Sequence, residues 1–170
     1  MSFWQCYYHL VWATKDRAGV ITSALEPMLF GHLINKAAEH EVMVFALNGW
    51  TDHIHVVATI PPKHAVADIV KNLKGASSHY LNHQRDLVLD ADFAWQQGYG
   101  VVTFSVRNLD QAVEYVRGQK EHHRRQTIHP WLERDSELDE GPPLSLGELN
   151  STRSVKETAS LYSVAGDPPF

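Results

Sequence analysis

Two histidines separated by one residue stand at the start of an apolar run, in the sequence DHIHVVATI (52–60). Residues i and i+2 of a β-strand point to the same face, so His53 and His55 are expected to project together. Two imidazoles placed in this way can chelate one divalent ion. An isolated His-x-His pattern is more often structural, since two imidazoles alone do not complete a metal site. Asp52 could orient an imidazole as a hydrogen-bond acceptor or be an ordinary turn residue, and the sequence favours neither interpretation.

A tyrosine and a glutamine four residues apart, Tyr115 and Gln119, are predicted to share one face of a later helix. The glutamine carbonyl is a potential oxygen ligand for a metal ion, and the tyrosine hydroxyl is a potential nucleophile. Taken alone the pattern is weak, because a half-buried tyrosine beside a solvated glutamine is the more common explanation of such a pair.

Basic and aromatic side chains elsewhere in the chain are candidates for contact with nucleic acid. Positive charges can follow a phosphate backbone, and aromatic rings can stack on unpaired bases. The alternatives are a solvated basic surface, including a basic helix end that suits the helix dipole, and ordinary packing of the rings in the core. The candidates are Arg17, Lys71, Lys74, Arg85, Trp95, His122, His123 and Arg124.

The composition is that of a globular protein, and 170 residues suit one domain with room for an appendage. The net charge of −5 is concentrated near the C-terminus: 13 Lys and Arg oppose 14 Asp and Glu through Asp135, and 2 oppose 6 beyond it. Overall charge therefore does not exclude a nucleic-acid partner. The single cysteine excludes an internal disulfide and a cysteine-built zinc site. With no signal peptide and no apolar run of membrane-spanning length, a cytoplasmic location is expected.

The elements that must position these residues follow from the hydrophobic periodicity. The order is β-α-β-β-α-β with an extra C-terminal helix, which predicts an α+β, ferredoxin-like (RRM-like) fold: an antiparallel sheet with two helices on one face. Asn108 or Asp110 is placed to cap the last helix. The predicted strands are 3–14, 42–50, 53–60 and 101–106, and the predicted helices are 22–41, 65–84 and 108–126.

Periodicity fades near Asp135, where Pro, Gly, Ser and acidic residues become dominant. We therefore predict a domain over residues 1–135 and an acidic tail over 136–170, either flexible or draped on a partner. The negative charge of the tail would compete with DNA, so an autoinhibitory role is one hypothesis for it.

Six short motifs stand in collinear order along residues 5–126. They are His53-Ile54-His55 itself, YHLVWATKDR (8–17), DHIHVVATIPPK (52–63), IVKNLKGASS (69–78), FAWQQGYGVVTFSV (93–106) and VEYVRGQKEHHRR (113–125). Taken together, they resemble the single-tyrosine HUH transposases, the TnpA-type enzymes of small bacterial insertion sequences, to which the REP-associated tyrosine transposases are related. A Met-Pro pair, common before the histidines in the family, is replaced here by Trp-Thr-Asp.

The resemblance implies a function as well as a fold. It implies that His53, His55 and Gln119 hold Mg²⁺ or Mn²⁺ and that Tyr115 attacks DNA, leaving a 5′-phosphotyrosine and a free 3′-OH. It implies single-stranded DNA with hairpins near the element ends as the substrate. It also implies a homodimer whose active sites are shared, with the tyrosine helix of one subunit reaching the histidine pair of the other.

Three other functions stay open at this point. A domesticated relative that processes chromosomal hairpin repeats would keep the same residues. A catalytically silent, RRM-like module would bind single strands without cutting them. A small metal hydrolase would use the histidine pair to activate water and would form no protein–DNA adduct.

Overall fold

The computed structural model describes residues 3–84 and 92–136. The tail predicted over residues 136–170 lies outside this range except for Ser136, and Arg85 also lies outside it. Short 3₁₀ turns stand at Lys15–Arg17 and Val106–Asn108. The strands and helices are β1 (Tyr7–Ala13), α1 (Glu26–Glu39), β2 (Met43–Gly49), β3 (His53–Thr59), α2 (Val66–Asn82), β4 (Gly100–Phe104), α3 (Leu109–Arg117) and α4 (Gln119–Arg125).

The four strands form one antiparallel sheet in the order β2-β3-β1-β4. This element order and strand order confirm the predicted α+β, ferredoxin-like fold. In the centre of the sheet, Ala13 of β1 lies opposite His53 of β3, and Val11 lies opposite His55. The register therefore places the start of β3 beside the end of β1. None of the described helices is both long and apolar enough to cross a bilayer.

The two faces of the sheet carry separate hydrophobic clusters. Leu10, Trp12 and Ile54 belong to the larger cluster, which α1 and α2 cover. Val57 belongs to the smaller cluster, which α3 covers with residues such as Val116. The central strands are thus buried on both sides, which explains why β3 is a nearly continuous apolar run. The first strand is shorter than predicted: it begins at Tyr7 instead of residue 3.

The predicted helix over residues 108–126 is two helices, and this is a correction. The break lies at Gly118, which has a non-helical ψ of 1°. Glycine has the lowest helix propensity of the residues that can occupy a helix interior, so the chain bends there at little cost. Tyr115 therefore ends up on α3 and Gln119 begins α4. Asn108 stands at the N-cap position of α3, but its side chain makes no capping hydrogen bond.

A segment after α4 returns across the sheet on the α3 side, and we call residues 127–135 the C-terminal strap. Leu132 of the strap is fully buried. Asp135 is bound by the Arg17 guanidinium at 2.5 Å and by the Gln96 side-chain amide at 2.8 Å. A Cβ on Gly100 of β4 would overlap the carbonyl oxygen of Arg134. The strap is therefore held at its end and passes directly against β4.

Candidate metal and nucleophile site

The predicted pairing of His53 and His55 on one face is found, on the side of the sheet that α3 and α4 cover. The two residues are 2% and 0% exposed. Their ring centroids lie 5.0 Å apart with the rings nearly perpendicular. Strand alternation therefore brings two buried imidazoles to one point, with their Nε2 atoms directed at the same carboxylate.

The Asp52 carboxylate contacts the His53 ring at Nδ1, the nitrogen that does not face Glu133. Its Oδ1 lies 2.7 Å from Nδ1 of His53, and its Oδ2 accepts a hydrogen bond from Arg17. Burial alone would lower the pKa of His53, but its hydrogen bonds with Asp52 and Glu133 outweigh burial and raise the pKa to about 9. Asp52 thus makes the contact expected of an orienting acceptor, which leaves Nε2 of His53 directed into the site.

A third histidine, His9 of β1, holds the His55 ring in the same way. Nε2 of His9 lies 3.0 Å from Nδ1 of His55, and both side chains are buried. Burial, and next the neighbouring His55, lower the pKa of His9 well below its ordinary value, so His9 is neutral. A metal ion on Nε2 of His55 would require the proton on Nδ1, where Nε2 of His9 can accept it. His9 was not predicted from the sequence, because only the strand register brings it to His55.

Two further side chains join the histidine pair, and the sequence did not identify either as a ligand. Oε2 of Glu133 on the strap lies 3.2 Å from Nε2 of His53, 3.2 Å from Nε2 of His55 and 3.6 Å from Nε2 of His123. Potential ligand atoms of these four residues all lie within 4.8 Å of one another. The structure therefore contains a cluster of three histidines and one glutamate that could hold a metal ion.

The Tyr115 hydroxyl lies at the edge of this cluster. It donates a hydrogen bond to Oε1 of Glu133 at 2.7 Å and accepts one from the His129 backbone N–H at 3.0 Å. The Tyr115 ring stacks on His122 at a centroid distance of 4.8 Å. Burial raises the pKa of the phenol well above its ordinary value, and the Glu133 carboxylate raises it further because it opposes a second negative charge. Tyr115 is thus a protonated phenol in the chain without an ion.

Gln119 contacts the cluster through its amide nitrogen and has a buried, unpartnered carbonyl oxygen. The side chain is 0% exposed, and its Nε2 lies 3.4 Å from Oε1 of Glu133. Its Oε1 is buried and has no hydrogen-bond partner among the described residues. An unsatisfied buried acceptor costs about 1–3 kcal/mol, so its presence in a residue that contacts Glu133 fits a role as a metal ligand. The carbonyl and carboxylate oxygens of this donor set are ligands that Mg²⁺ and Mn²⁺ favour. Its imidazole nitrogens are ligands typical of transition metals such as Zn²⁺.

Tyr115 and Gln119 reach the histidine pair of their own chain. The Tyr115 and His55 ring centroids are 6.3 Å apart. One chain therefore brings all four residues together without a partner. A shared active site in a homodimer stays a prediction, and it would require Tyr115 of one subunit to leave this position.

The candidates for DNA contact have varied surroundings. Lys71 and Lys74 line an open groove of about 340 Å³ between α2 and residues 96–99, where Lys74 donates to the carbonyls of Gln96 and Gly98. Trp95 packs against the core, and its indole N–H donates to Ser77. The other described candidates lie near the cluster or on exposed parts of the surface. Arg17 pairs with Asp52 and Asp135, Arg124 pairs with Glu121, His122 stacks on Tyr115, and His123 stacks on Trp50.

Comparison with known proteins points to one family. The model of the family described as "Transposase IS200 like" matches residues 2–119. The chain is 32% identical over 123 residues to the transposase of insertion sequence element IS200 from Salmonella typhimurium, covering 69% of this chain and 79% of that protein. It is 29% identical over 119 residues to the ISDra2 transposase TnpA of Deinococcus radiodurans, covering 68% and 85%.

Two solved structures have a similar fold. A crystal structure from Deinococcus radiodurans R1, assigned as a transposase, has a TM-score of 0.52 and 28% identity and covers 70% of this chain and 95% of its own. A REP-associated tyrosine transposase bound to a REP hairpin has a TM-score of 0.55 and covers 85% and 100%. At 13% identity, the second likeness concerns the fold alone.

Proposed function

Since this chain belongs to the IS200-like transposase family, and is thus a DNA-transposing enzyme, we propose that it cleaves and rejoins single-stranded DNA through a covalent bond to Tyr115. The substrate would be the hairpin-bearing ends of a mobile element. A structural neighbour with a similar fold is described as a tyrosine transposase bound to a REP hairpin, and the proposal extends a tyrosine and a hairpin substrate to this chain.

One observation carries the proposal: the Tyr115 hydroxyl and the two histidine nitrogens contact the same carboxylate from opposite sides. Oε1 of Glu133 accepts from Tyr115 at 2.7 Å, while Oε2 lies 3.2 Å from Nε2 of both His53 and His55. A DNA phosphate bound next to this carboxylate would thus lie close to both a nucleophile and metal-binding groups. Phosphoryl transfer requires a nucleophile placed close to the phosphorus and positively charged groups placed close to the phosphate oxygens.

We propose that His53, His55 and Gln119 hold Mg²⁺ or Mn²⁺. A divalent ion bound there would polarise the scissile phosphate and offset the negative charge that develops on its oxygens. The orientation of the two imidazoles by Asp52 and His9, and the unpartnered Gln119 carbonyl, support this assignment.

In the proposed reaction, the Tyr115 oxygen attacks the phosphorus and the bond from phosphorus to the 3′ oxygen breaks. Before the attack, Oε1 of Glu133 orients the phenol hydroxyl by accepting its hydrogen bond. As the bond to phosphorus forms, the phenol proton is released to solvent, and the departing 3′ oxygen takes up a proton from solvent. The products are a 5′-phosphotyrosine and a free 3′-OH. Attack by the 3′-OH of another strand reverses the step and joins the two DNA segments, with no requirement for ATP.

We also propose that the enzyme acts as a homodimer, since one tyrosine can hold only one DNA end at a time. Strands β2 and β4 are the edges of the sheet and could pair with a second copy. The arrangement within one chain supports a site in which Tyr115 serves its own histidine pair.

A strand-cleavage assay tests the metal-dependent activity. Labelled single-stranded DNA carrying element-end hairpins would be mixed with the protein and Mn²⁺, with the matching duplex as a substrate control. We expect cleavage of the single strand only, lost on addition of chelator. His53→Ala should slow cleavage by at least about 100-fold, because loss of a ligand exceeds the 10–100-fold cost of losing an outer partner.

The exposed His83 at the end of α2 provides the matched control, since it lies outside the cluster. His83→Ala should cleave at the wild-type rate. Cleavage that persists in His53→Ala or in the presence of chelator would contradict the proposed role of the metal ion.

A further inference from the structure

The Glu133 carboxylate lies at the centre of the site, yet the match to the family does not account for it. The family model matches residues 2–119, whereas Glu133 belongs to the strap that follows α4. The side chain contacts both His53 and His55 with one oxygen and Tyr115 with the other. A residue outside the part of the chain that the family model matches therefore contacts these three predicted site residues.

We propose that Glu133 is an additional ligand of the divalent cation, supplied by the strap, and that its second oxygen fixes the Tyr115 hydroxyl relative to the ion. This inference rests on the proposed function, because it adds a residue to the same metal site.

The spacing of the atoms supports a ligand. Two donors at neighbouring corners of an octahedron with bonds of about 2.1 Å are about 3.0 Å apart, and in a tetrahedral site about 3.4 Å apart. Oε2 of Glu133 lies 3.2 Å from both His53 Nε2 and His55 Nε2. The carboxylate thus already stands at ligand-to-ligand distance from both imidazoles.

The charge of the site supports the same assignment. His53, His55 and Gln119 would all bind a cation as neutral ligands, whereas Mg²⁺ and Mn²⁺ favour carboxylate oxygens. Asp52, the nearest other acid, is engaged with the Nδ1 side of His53 and with Arg17. Glu133 is the one carboxylate within the described cluster, so it alone there can offset the charge of the ion directly.

The strap positions this carboxylate rigidly. The preceding residue, Leu132, is fully buried, and Asp135 two residues later is bound by Arg17 and Gln96. Gly100 allows the strap to lie against β4 without a side chain between them. Glu133 is therefore held by packing on both sides, as a preorganised ligand should be.

Binding of Mn²⁺ to the full-length protein without DNA tests the inference, measured by calorimetry or by the spin-resonance signal of free Mn²⁺. Glu133→Gln keeps the shape of the side chain and removes its charge, so we expect affinity to fall by at least about tenfold. Glu133→Asp keeps the charge on a shorter side chain and should lose less. Glu121→Gln is the matched control, because Glu121 lies on α4 and pairs with Arg124 and Arg125, and it should bind like the wild type.

The outcomes separate this inference from the proposed function. If Glu133→Gln binds Mn²⁺ as tightly as the wild type, or more tightly, while His53→Ala loses binding, Glu133 is no ligand and the proposed histidine site stands. If His53→Ala also binds like the wild type, the proposed metal site itself is wrong. Circular dichroism of each variant verifies that the fold is kept.

Discussion

His9 shows how one buried residue can control the chemistry of another without contacting the substrate. It lies on the central strand β1, and its Nε2 is 3.0 Å from Nδ1 of His55. A metal-binding histidine needs a partner on its other nitrogen to fix the tautomer and the ring orientation. We therefore expect His9 to position His55, as Asp52 is predicted to position His53.

His9→Phe should weaken Mn²⁺ binding by about tenfold, because phenylalanine keeps a ring in the core but removes the acceptor for the His55 proton. Mn²⁺ titration of the folded variant measures this, and thermal unfolding shows separately whether stability changed. His83→Phe, at an exposed position, should bind Mn²⁺ like the wild type. Equal affinity in His9→Phe and the wild type would show that His55 needs no such partner.

Among single residues, the sequence predicted pairs that lie close together along the chain. The pairing of His53 and His55 follows from strand alternation, and the spacing of Tyr115 and Gln119 survives the break between their helices. His9 and Glu133 could not be predicted, because their contacts depend on the strand register and on the path of the strap. No short pattern encodes either one.

The strap carries Glu133 into the site, so its position affects the site directly. Gly100 of β4 has no side chain and therefore allows the strap to pass close to this strand. An added Cβ would overlap the Arg134 carbonyl oxygen and lie 2.7 Å from Cγ1 of Val11. Neither neighbour can move easily, because the Arg134 oxygen is a backbone atom and the Val11 side chain is buried in the sheet. The strap would have to shift to accommodate even an alanine.

Gly100→Ala should therefore reduce the free energy of unfolding by about 1–3 kcal/mol, as for overpacking in a core. Denaturation in guanidinium chloride measures the change. Gly75→Ala in α2 is the matched control: nothing lies within 4 Å of its added Cβ, and it should stabilise the protein by up to about 1 kcal/mol. Unfolding of Gly100→Ala at the wild-type denaturant concentration would contradict the described packing of the strap.

Periodicity predicted the existence and order of the strands and of the first two helices, since both depend on which residues face a core. The first strand and the first helix each begin four residues later than predicted, at Tyr7 and Glu26. The predicted strand over 53–60 is β3 at His53–Thr59, and the predicted helix over 65–84 is α2 at Val66–Asn82. Periodicity did not predict the break between α3 and α4 at Gly118, because the break depends on backbone geometry and not on which residues face the core. It also failed for the strap, which has a single buried anchor, Leu132, and no repeating pattern to detect.

Over the whole molecule, one chain of the IS200-like transposase family brings Tyr115 together with a cluster of three histidines and one glutamate that could hold a metal ion. Residues through Asp135 are nearly neutral, with 13 Lys and Arg against 14 Asp and Glu, so most of the negative charge lies beyond them. The part of the chain that contains the site therefore carries no large overall repulsion toward DNA. The proposed domain of residues 1–135 and the role of the tail stay predictions.

Covalent capture of DNA by Tyr115 tests the central claim most directly. Single-stranded hairpin DNA would be incubated with the protein and Mn²⁺, denatured, and digested, and the modified peptide would be identified by mass spectrometry. We expect a 5′-phosphotyrosine on Tyr115 in the wild type. Tyr80→Phe should form the same adduct, because Tyr80 stacks on His32 in the α1–α2 cluster, and Tyr115→Phe should form none. An adduct on another residue, or strand cleavage by Tyr115→Phe, would contradict the account.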